Sequence, residues 1–193
     1  MLRITEVFLS IQGESTQAGR PCVFVRLTGC DLRCVWCDTE YAFEGGEQAT
    51  IEEVLDRVAS FGCPLVEVTG GEPLLQRDCI PFMKALLARG HEVMLETGGH
   101  RSVEEVPTEV RRILDVKCPG SGESHRNHLE NLDRLTPRDE VKFVLADRAD
   151  YEWARAFVRD RALHERCPVL FSPVWQRLDP KELADWILAD RLT

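Results

Sequence analysis

Short apolar runs alternate with amphipathic stretches along most of the chain. The apolar runs predict buried strands: CVFVRLTG (22–29), PLVEV (64–68), EVMLE (92–96), RRILDVK (111–117), EVKFVLA (140–146) and PVLFSP (168–173). Apolar residues at helical spacing predict helices at about 51–61, at about 78–89, across Tyr151, Ala154, Phe157 and Val158, and across Leu183, Trp186 and Ile187. The chain is therefore predicted to alternate strand and helix.

The predicted helices carry start and stop signals. Thr50 can cap the first helix, and Glu53 three residues later completes a capping box. Gly62 ends this helix, because glycine readily adopts the left-handed conformation that closes a helix. Asp179 is the predicted cap of the last helix, and Pro180 is its first residue, a position that tolerates proline.

The alternation of strands and helices predicts the fold class. It implies right-handed βαβ units and hence a parallel sheet. About six such units are too few to close an eightfold barrel. We therefore expect an α/β fold with an open, partial (β/α) barrel of about six βα units. No repeat, low-complexity tract or linker interrupts the sequence, so residues 1–193 are expected to form a single domain.

Composition and charge narrow the function classes. The net charge of −9 comes from interspersed acidic and basic residues, which argues against a nucleic-acid binder with a basic stripe. The N-terminal MLRITEVFLSIQGES has no signal-peptide pattern, and no apolar run approaches the ~20 residues of a membrane helix. We expect a cytoplasmic location, where thiols stay reduced, so the eight cysteines favour metal binding or chemistry over disulfides.

Three cysteines, Cys30, Cys34 and Cys37, stand in the run CDLRCVWCDT with the spacing C-x3-C-x2-C. A closed zinc site or a ferredoxin cluster takes four protein ligands, and no fourth cysteine or histidine lies nearby in the sequence. Three thiolates suit a [4Fe–4S] cluster that leaves one iron open to a small molecule. The alternative is an incomplete zinc site or a chance grouping.

The remaining cysteines and the histidines carry no such pattern. Five cysteines are predicted to be small buried apolar residues: Cys22, Cys63, Cys79, Cys118 and Cys167. The histidines show no ligand spacing and are predicted to be surface or loop residues.

Unusual short motifs fall at the predicted strand ends. They are TGC (28–30), TGGEP (69–73), ETGG (96–99), KCPGSG (117–122) and SP (172–173). The carboxyl ends of parallel strands meet at one edge of a sheet, where the sites of such folds gather. In TGGEP, two glycines let the backbone approach a ligand closely, and their carbonyls can accept hydrogen bonds from an ammonium group.

Together, the cysteine triplet, the Trp36–Cys37 ending and GGEP resemble the radical S-adenosylmethionine (SAM) superfamily. In that superfamily the amino and carboxylate groups of SAM occupy the open iron, and the GGEP segment holds the amino group. Longer segments resemble the 7-carboxy-7-deazaguanine synthase family within it: VFLSIQGES, VRLTGCDLRCVWCDT, EVTGGEP, DVKCPGSGE and EVKFVLADRADYEWA. IQGES and CDT point to this family in particular, and the likeness runs from about residue 4 to about residue 188.

The resemblance implies a reaction and a set of site residues. The family contracts the ring of 6-carboxy-5,6,7,8-tetrahydropterin to give 7-carboxy-7-deazaguanine and ammonia, for queuosine-type nucleosides. A [4Fe–4S] cluster cleaves SAM reductively, and the 5′-deoxyadenosyl radical abstracts a hydrogen from C6 of the pterin. By this resemblance the cluster is held by Cys30, Cys34 and Cys37. SAM is contacted by Trp36, Gly71, Lys117, Ser172 and Pro173, and the substrate is contacted by Gln12, Gly13, Glu14, Arg26 and Thr69. Mg²⁺ is bound by Thr39.

The chemistry of these side chains suits the implied ligands. Glu14 can accept hydrogen bonds from a guanidine-like edge, and the planar fork of Arg26 fits a carboxylate, with a surface salt bridge as the alternative. Thr39 alone is a weak Mg²⁺ ligand that needs substrate oxygens to complete the shell; otherwise it marks a helix cap or turn. Glu96 and Asp115, at strand ends, are candidates for the ribose of SAM or caps for the next helix.

Partners follow from the same resemblance. The expected ones are the small-molecule pterin, an external one-electron reductant such as a flavodoxin or ferredoxin, and a second copy of the chain in a homodimer. Neither a nucleic acid nor a membrane is expected. Chains of the family usually continue past the last helix into an apolar stretch with glutamine and histidine, whereas this sequence ends in DRLT (190–193). It is either a short member or a chain without that segment.

Two rival functions fit the cysteine triplet. One is an activating enzyme that places a glycyl radical on a partner protein, which shares C-x3-C-x2-C and needs a groove for a polypeptide loop. The other is an iron–sulfur or zinc-binding module without turnover. The IQGES segment, Arg26 and Thr39 favour a small polar anion instead.

Overall fold

The computed structural model describes residues 1–192, and its centre is one eight-stranded sheet. The strands are β1 (Leu2–Ile11), β2 (Pro21–Leu27), β3 (Glu47–Ala49), β4 (Leu65–Gly70), β5 (Glu92–Thr97), β6 (Arg111–Asp115), β7 (Glu140–Leu145) and β8 (Val169–Pro173). Their order is β3-β1-β2-β4-β5-β6-β7-β8, and β2 and β4 to β8 run parallel in chain order. The sheet does not close on itself, so the predicted open partial barrel is confirmed.

Two strands at one edge of the sheet were not predicted. β1 pairs antiparallel with β2, from Ile4 opposite Leu27 to Ile11 opposite Pro21, and β3 pairs antiparallel with the start of β1. β1 is long and mostly half-exposed, with only Leu2 and Ile4 fully buried, so it lacks the dense apolar run that marks the other strands. The turn between β1 and β2 places residues 12–14 at the amino end of β2.

The four α-helices of the described chain lie where the apolar periodicity places them. They are α1 (Ile51–Ser60), α2 (Cys79–Ala88), α3 (Arg148–Asp160) and α4 (Pro180–Ala189). The predicted capping box is present: Thr50 Oγ1 accepts from the backbone N–H of Glu53, and the Glu53 side chain accepts from the backbone N–H of Thr50. Asp179 caps α4 by accepting from the Lys181 N–H at 2.7 Å. Each such cap stabilises its helix by about 1 kcal/mol.

The crossovers from β5 to β6 and from β6 to β7 contain no α-helix. Short 3₁₀ turns replace it after β6, at Pro119–Ser121, Ser124–Arg126 and Leu129–Arg134. The buried Asn131 ties these two crossovers together: its Oδ1 accepts from Val103 N at 3.0 Å, and its Nδ2 donates to Arg101 O at 2.8 Å. Four of the predicted βα units therefore have a helix, and two have irregular connections.

The two faces of the sheet differ in chemistry. On β2 and β4, Val23, Val25, Val66 and Val68 are fully buried in the apolar core with the helices. The alternating residues, including Glu67, point to the opposite face, as the two-residue period of a strand requires. Burying each such valine stabilises the fold by about 1.5–3 kcal/mol. None of the helices in residues 1–192 is long and apolar enough to cross a membrane. The end of the DRLT segment, Thr193, lies outside the described residues.

Candidate active site

A cavity of about 780 Å³ is lined by residues from all six parallel strands and from the loops that follow them. Every site residue predicted from the sequence lines it: Gln12, Gly13, Glu14, Arg26, Cys30, Cys34, Trp36, Cys37, Thr39, Thr69, Gly71, Glu96, Lys117, Ser172 and Pro173. Parallel strands in chain order bring their carboxyl ends to one edge, which gathers the loop residues there. Residues 12–14 follow Ile11, which lies opposite Pro21, and so reach the cavity from the amino end of β2.

The cysteine loop, residues 30–39, forms one end of this cavity. Cys30, Cys34 and Cys37 are partly exposed and line the cavity, whereas the five other cysteines are buried, as predicted, and do not line it. Backbone hydrogen bonds hold the loop: Gly29 N donates to Ala42 O at 2.7 Å, and Val35 N donates to Ser121 O at 3.0 Å. Burial raises the pKa of the Cys30 and Cys34 thiols.

The GGEP segment, residues 70–73, packs directly against the cysteine loop. A Cβ on Gly71 would lie 2.5 Å from Gly29 O and 2.7 Å from Cys30 Cβ, so only glycine fits. Glu72 N donates to Gly29 O at 2.8 Å, and Gly71 N donates to Leu27 O at 3.2 Å. The backbone of Gly71 is therefore held at the cavity wall, next to the first cysteine.

A ring of polar side chains, of which Gln12, Glu67 and Lys142 are buried, forms the opposite end of the cavity. We call this ring, Gln12, Glu14, Glu67, Glu96 and Lys142, the polar floor. Gln12 donates its amide to Glu67, and its Oε1 accepts from Glu14 N at 3.1 Å. Lys142 Nζ donates to Glu96 and, at 2.9 Å, to Glu14 Oε2. Glu67 and Glu96 are also hydrogen-bonded, which closes the ring.

The pKa values of the polar floor follow from its burial and its charges. Burial, and then the charge of Glu96, raise the pKa of Glu67, so this carboxyl group holds a proton. Burial alone would also raise the pKa of Glu96, but Lys142 outweighs it and holds that pKa below the ordinary value. Burial opposes the charged form of Lys142, yet Glu96, Asp115 and Glu14 raise its pKa well above the ordinary range.

Arg26 and Thr69 stand opposite each other on β2 and β4 in the sheet register. Arg26 donates its Nε to Glu6 Oε1 at 2.7 Å, the salt bridge that was the alternative interpretation of this residue. Within the described residues its two terminal nitrogens make no hydrogen bond to the protein, and the side chain lines the cavity. Thr69 donates to Glu96 Oε2 at 3.4 Å and so connects to the polar floor.

The remaining predicted residues surround the cysteine loop. Trp36 lies under the guanidinium of Arg177, whose Cζ is 5.7 Å from the ring centroid. Lys117 Nζ donates to Asp115 Oδ2 at 2.7 Å; burial opposes its charge, but Asp115 raises its pKa. Ser172 and Pro173 end β8. Thr39 makes no cap bond to the following turn and instead donates to Asp38 Oδ1 at 2.7 Å.

These residues fit an iron–sulfur cluster and SAM. Three accessible thiols lie on one loop, and the backbone of Gly71, which has no side chain, packs against the first of these cysteines at the cavity wall. Asp115 Oδ1 is buried at the cavity without a hydrogen-bond partner among the described residues, so it can accept from a ligand hydroxyl. Within residues 1–192, no three His, Cys, Asp or Glu side chains converge on a single metal ion. A cluster does not need this, because each thiolate binds a different iron.

Several residues of the site were not predicted from the sequence. Glu67 and Lys142 are charged residues inside apolar strand runs, a signal that sequence reasoning could have used. His100 lies in a loop, as predicted for the histidines, but its side chain is only 1% exposed, which the sequence did not indicate. Asp38, which lies in the CDT run, also lines the cavity, as do Trp175 and Arg177, which no sequence pattern distinguishes.

The fold and the three-cysteine loop define the class of protein. Residues 24–119 match the radical SAM superfamily. The crystal structure of QueE from Escherichia coli has a TM-score of 0.77 at 23% identity, covering 98% of this chain and 91% of that chain. The structure of TYW1 with a lysine-pyruvate adduct bound has a TM-score of 0.64 at 16% identity, covering 87% of this chain and 70% of that one. The protein thus has a radical SAM fold.

Sequence relatives narrow the class to one family. The 7-carboxy-7-deazaguanine synthase of Koribacter versatilis is 48% identical over 206 residues, covering 99% of this chain and 91% of its own. The 7-carboxy-7-deazaguanine synthase of Chlorobaculum tepidum is 46% identical over 194 residues, covering 99% of this chain and 88% of its own. The chain belongs to the 7-carboxy-7-deazaguanine synthase family.

Proposed function

We propose that the protein contracts the ring of 6-carboxy-5,6,7,8-tetrahydropterin to give 7-carboxy-7-deazaguanine and ammonia, a radical SAM carbon–nitrogen lyase reaction in queuosine and 7-deazapurine biosynthesis. Full-length similarity to proteins named 7-carboxy-7-deazaguanine synthase supports this proposal. The observation that carries it is a single cavity with three accessible cysteines at one end and a ring of charged side chains at the other.

The cofactors of this reaction belong at the cysteine end. Cys30, Cys34 and Cys37 would hold a [4Fe–4S] cluster, and the SAM contacts would be Trp36, Gly71, Glu96, Lys117, Ser172 and Pro173. When bound, the cluster supplies the electron that cleaves SAM and so starts the radical chemistry. Gly71 lets the backbone reach the amino group of SAM, and the unpartnered Asp115 Oδ1 suits a ribose hydroxyl.

The pterin belongs at the other end, where Gln12, Gly13, Glu14, Arg26 and Thr69 would contact it. With Glu67 protonated, the polar floor holds two carboxylates and one ammonium group, so it can accept hydrogen bonds from a guanidine-like edge. The terminal nitrogens of Arg26 face the same cavity and suit the substrate carboxylate. The cavity thus offers anionic and cationic groups for opposite ends of one small molecule.

Magnesium and the macromolecular partners complete the proposal. Thr39 would bind Mg²⁺, and the Asp38 carboxylate 2.7 Å from its hydroxyl adds a hard oxygen ligand of the kind that Mg²⁺ prefers. The family resemblance supports an external one-electron reductant such as a flavodoxin or ferredoxin, a homodimer and a cytoplasmic location.

The test is product formation under anaerobic conditions. The protein is reconstituted with iron and sulfide, reduced, and incubated with SAM, Mg²⁺ and the carboxypterin; the expected result is 7-carboxy-7-deazaguanine by mass spectrometry. Omission of Mg²⁺ is expected to slow the reaction. SAM cleavage with persistent absence of a deazapurine would contradict the proposed substrate and favour an enzyme that acts on a partner protein. If the electron paramagnetic resonance (EPR) spectrum of the reduced cluster does not change when SAM is added, the cofactor assignment is contradicted.

A further inference from the structure

His100 touches both segments that form the cofactor end of the cavity. Its Nε2 lies 2.6 Å from Asp31 Oδ1, and its Nδ1 lies 3.5 Å from Glu72 Oε2. Asp31 directly follows Cys30 in the cysteine loop, and Glu72 directly follows Gly71 in the GGEP segment. The imidazole ring is almost fully buried, with 1% of its side chain exposed. The ring therefore hydrogen-bonds to the cysteine loop through Nε2, and its buried Nδ1 faces Glu72 at ion-pair distance without a hydrogen bond to the described residues.

Glu72 fixes the GGEP side of this bridge. Its carboxylate is fully buried and accepts hydrogen bonds from Leu74 N and Gly98 N at 2.9 Å and from Thr97 Oγ1 at 2.9 Å. These bonds tie the segment to the end of β5, from which His100 also emerges. Glu72 does not line the cavity. Its carboxylate is therefore bound by the protein itself and not available to a ligand.

Asp31 fixes the other side. Besides His100, its carboxylate accepts from Arg101 Nη2 at 2.6 Å and from Arg126 Nη2 at 2.9 Å. Both arginines are partly exposed, so these two ion pairs lie on the solvent side of Asp31. A carboxylate only accepts hydrogen bonds, so the ring nitrogen of His100 that faces Asp31 carries the hydrogen. Asp31 and His100 do not line the cavity either.

The bridged segments are in direct contact at Gly71 and Cys30. Gly71 and Cys30 are already so close that a methyl group does not fit between them. Their separation sets where the backbone of Gly71 stands relative to the cysteine loop. A small shift of the loop would therefore change the SAM site more than the fold.

We infer that His100 is a positioning residue for SAM, which locks the cysteine loop against the GGEP segment at the separation that SAM binding needs. This inference rests on the proposed cofactors but not on the proposed substrate. It requires that SAM affinity and cluster assembly respond differently to a change at His100. The cluster needs only the three thiols, whereas SAM must contact both bridged segments at once.

The test compares two substitutions. His100→Phe keeps the ring volume and removes both polar contacts, whereas His100→Gln retains a donor that reaches Asp31. For each variant, iron content after anaerobic reconstitution, the thermal unfolding midpoint and the SAM dissociation constant are measured, the last by titrating the EPR spectrum of the reduced cluster without pterin. His164→Phe, at an exposed histidine outside the cavity, is the matched control.

The expected result is near-native iron content in both variants, with SAM affinity at least tenfold weaker in His100→Phe and within threefold of the unsubstituted protein in His100→Gln. Arg126→Gln, which loosens Asp31 from the solvent side without touching the core, is expected to weaken SAM binding two- to threefold. Unchanged SAM affinity in a fully loaded His100→Phe would overturn the inference. Equal loss of cluster, fold and SAM binding in His100→Phe and His100→Gln would also overturn it, since that marks a purely structural role. Loss of deazapurine formation alone bears on the proposed function only.

Discussion

The two ends of the cavity are built in different ways. The cysteine end comes from two short segments, residues 30–39 and 70–73, whose ligand groups are partly exposed thiols and backbone atoms. The polar floor takes two side chains from the β1–β2 turn and one each from β4, β5 and β7, and its central residues Glu67 and Lys142 are buried. One end is a local motif placed on the fold, and the other end is part of the interior of the fold.

Because of this difference, substitutions at the two ends are expected to affect activity and the free energy of unfolding to different degrees. A partly exposed thiol makes few contacts that the fold needs, so removing it is expected to cost chemistry and little free energy of unfolding. A buried ammonium group between carboxylates is held by mutual attraction, and removing it leaves uncompensated charge. Substitutions at the cysteine end should therefore abolish cofactor chemistry in a stable protein, whereas substitutions in the polar floor should affect both.

The largest expected effect is that of Cys34→Ala at the cysteine end. We expect no stable cluster and no detectable SAM cleavage, because two thiolates cannot replace three. The thermal unfolding midpoint of the cluster-free protein should shift by no more than a few degrees. Iron analysis, optical spectroscopy and 5′-deoxyadenosine release measure the outcome. Cys63→Ala, at a buried cysteine outside the cavity, is the matched control and should keep its iron. A Cys34→Ala protein that still cleaves SAM would remove the cysteine loop from the proposed mechanism.

Lys142→Met comes second and tests the polar floor. Lys142 is the ammonium group between Glu14 and Glu96, and its side chain is only 8% exposed. Breaking a buried ion pair by removing one partner costs about 3–5 kcal/mol. Denaturant unfolding should show a loss of that order, and kcat/KM for the pterin should fall as well. Lys181→Met is the control, because Lys181 pairs with Asp185 at the surface and is 80% exposed. Equal stabilities of the two variants would show that the floor is not an integral part of the fold.

The same contrast explains what could be predicted from the sequence. The spacing of Cys30, Cys34 and Cys37 is a local signal, and so is the Gly-Gly pair at 70 and 71. Alternating apolar runs predicted the parallel strands, and the strand ends predicted one common edge. The site residues themselves were assigned from the family resemblance, and the structure brings every one of them into one cavity.

The rest depends on contacts between distant segments. Gln12 meets Glu67 across 55 positions, and Lys142 meets Glu14 across 128. Such pairs follow from strand order and register, which apolar periodicity does not specify. The β1 strand was not predicted because most of it is only half-buried. Two crossovers lack helices, and the buried Asn131 joins them through side-chain hydrogen bonds. The role of a buried histidine between the cysteine loop and the GGEP segment is visible only once those segments are adjacent in space.

Gly71→Ala is expected to have an intermediate effect at the boundary between the two segments. The new Cβ would meet Gly29 O at 2.5 Å and Cys30 Cβ at 2.7 Å, and both belong to the cysteine loop or the residue before it. Overpacking of this kind costs about 1–3 kcal/mol, and SAM binding should weaken more than tenfold because the loop must move. Gly13→Ala, where a Cβ meets nothing within 4 Å, is the control for stability. Iron content is measured alongside SAM affinity, and native values of both in the Gly71→Ala protein would contradict the tight packing of the two segments.

Glu67→Gln is expected to have the smallest effect on cofactor chemistry, and it changes how stability depends on pH. Burial and the charge of Glu96 raise the pKa of Glu67 from 4.5 to about 8. Below pH 4.5 the folded and unfolded states both hold the proton. Between the two values the unfolded state releases the proton while the folded state keeps it, so stability falls as the pH rises, and above the upper value the penalty stays constant. Glutamine mimics the protonated carboxyl group and removes this loss, which is roughly 1.4 kcal/mol for each unit of pKa shift.

The measurement is the free energy of unfolding of the cluster-free protein from about pH 4 to about pH 9, under reducing conditions, for Glu67→Gln and the unsubstituted chain. Other titrating groups contribute similarly to both, so the difference curve reports on Glu67. The free energy of unfolding of Glu67→Gln should increasingly exceed that of the unsubstituted chain as the pH rises toward about 8, and the difference should then level off. Glu130→Gln, at a side chain that is 78% exposed, should give a flat difference. A flat curve for Glu67→Gln as well would mean that Glu67 is ionised in the folded state, and the polar floor would then carry one more negative charge than its hydrogen bonds imply.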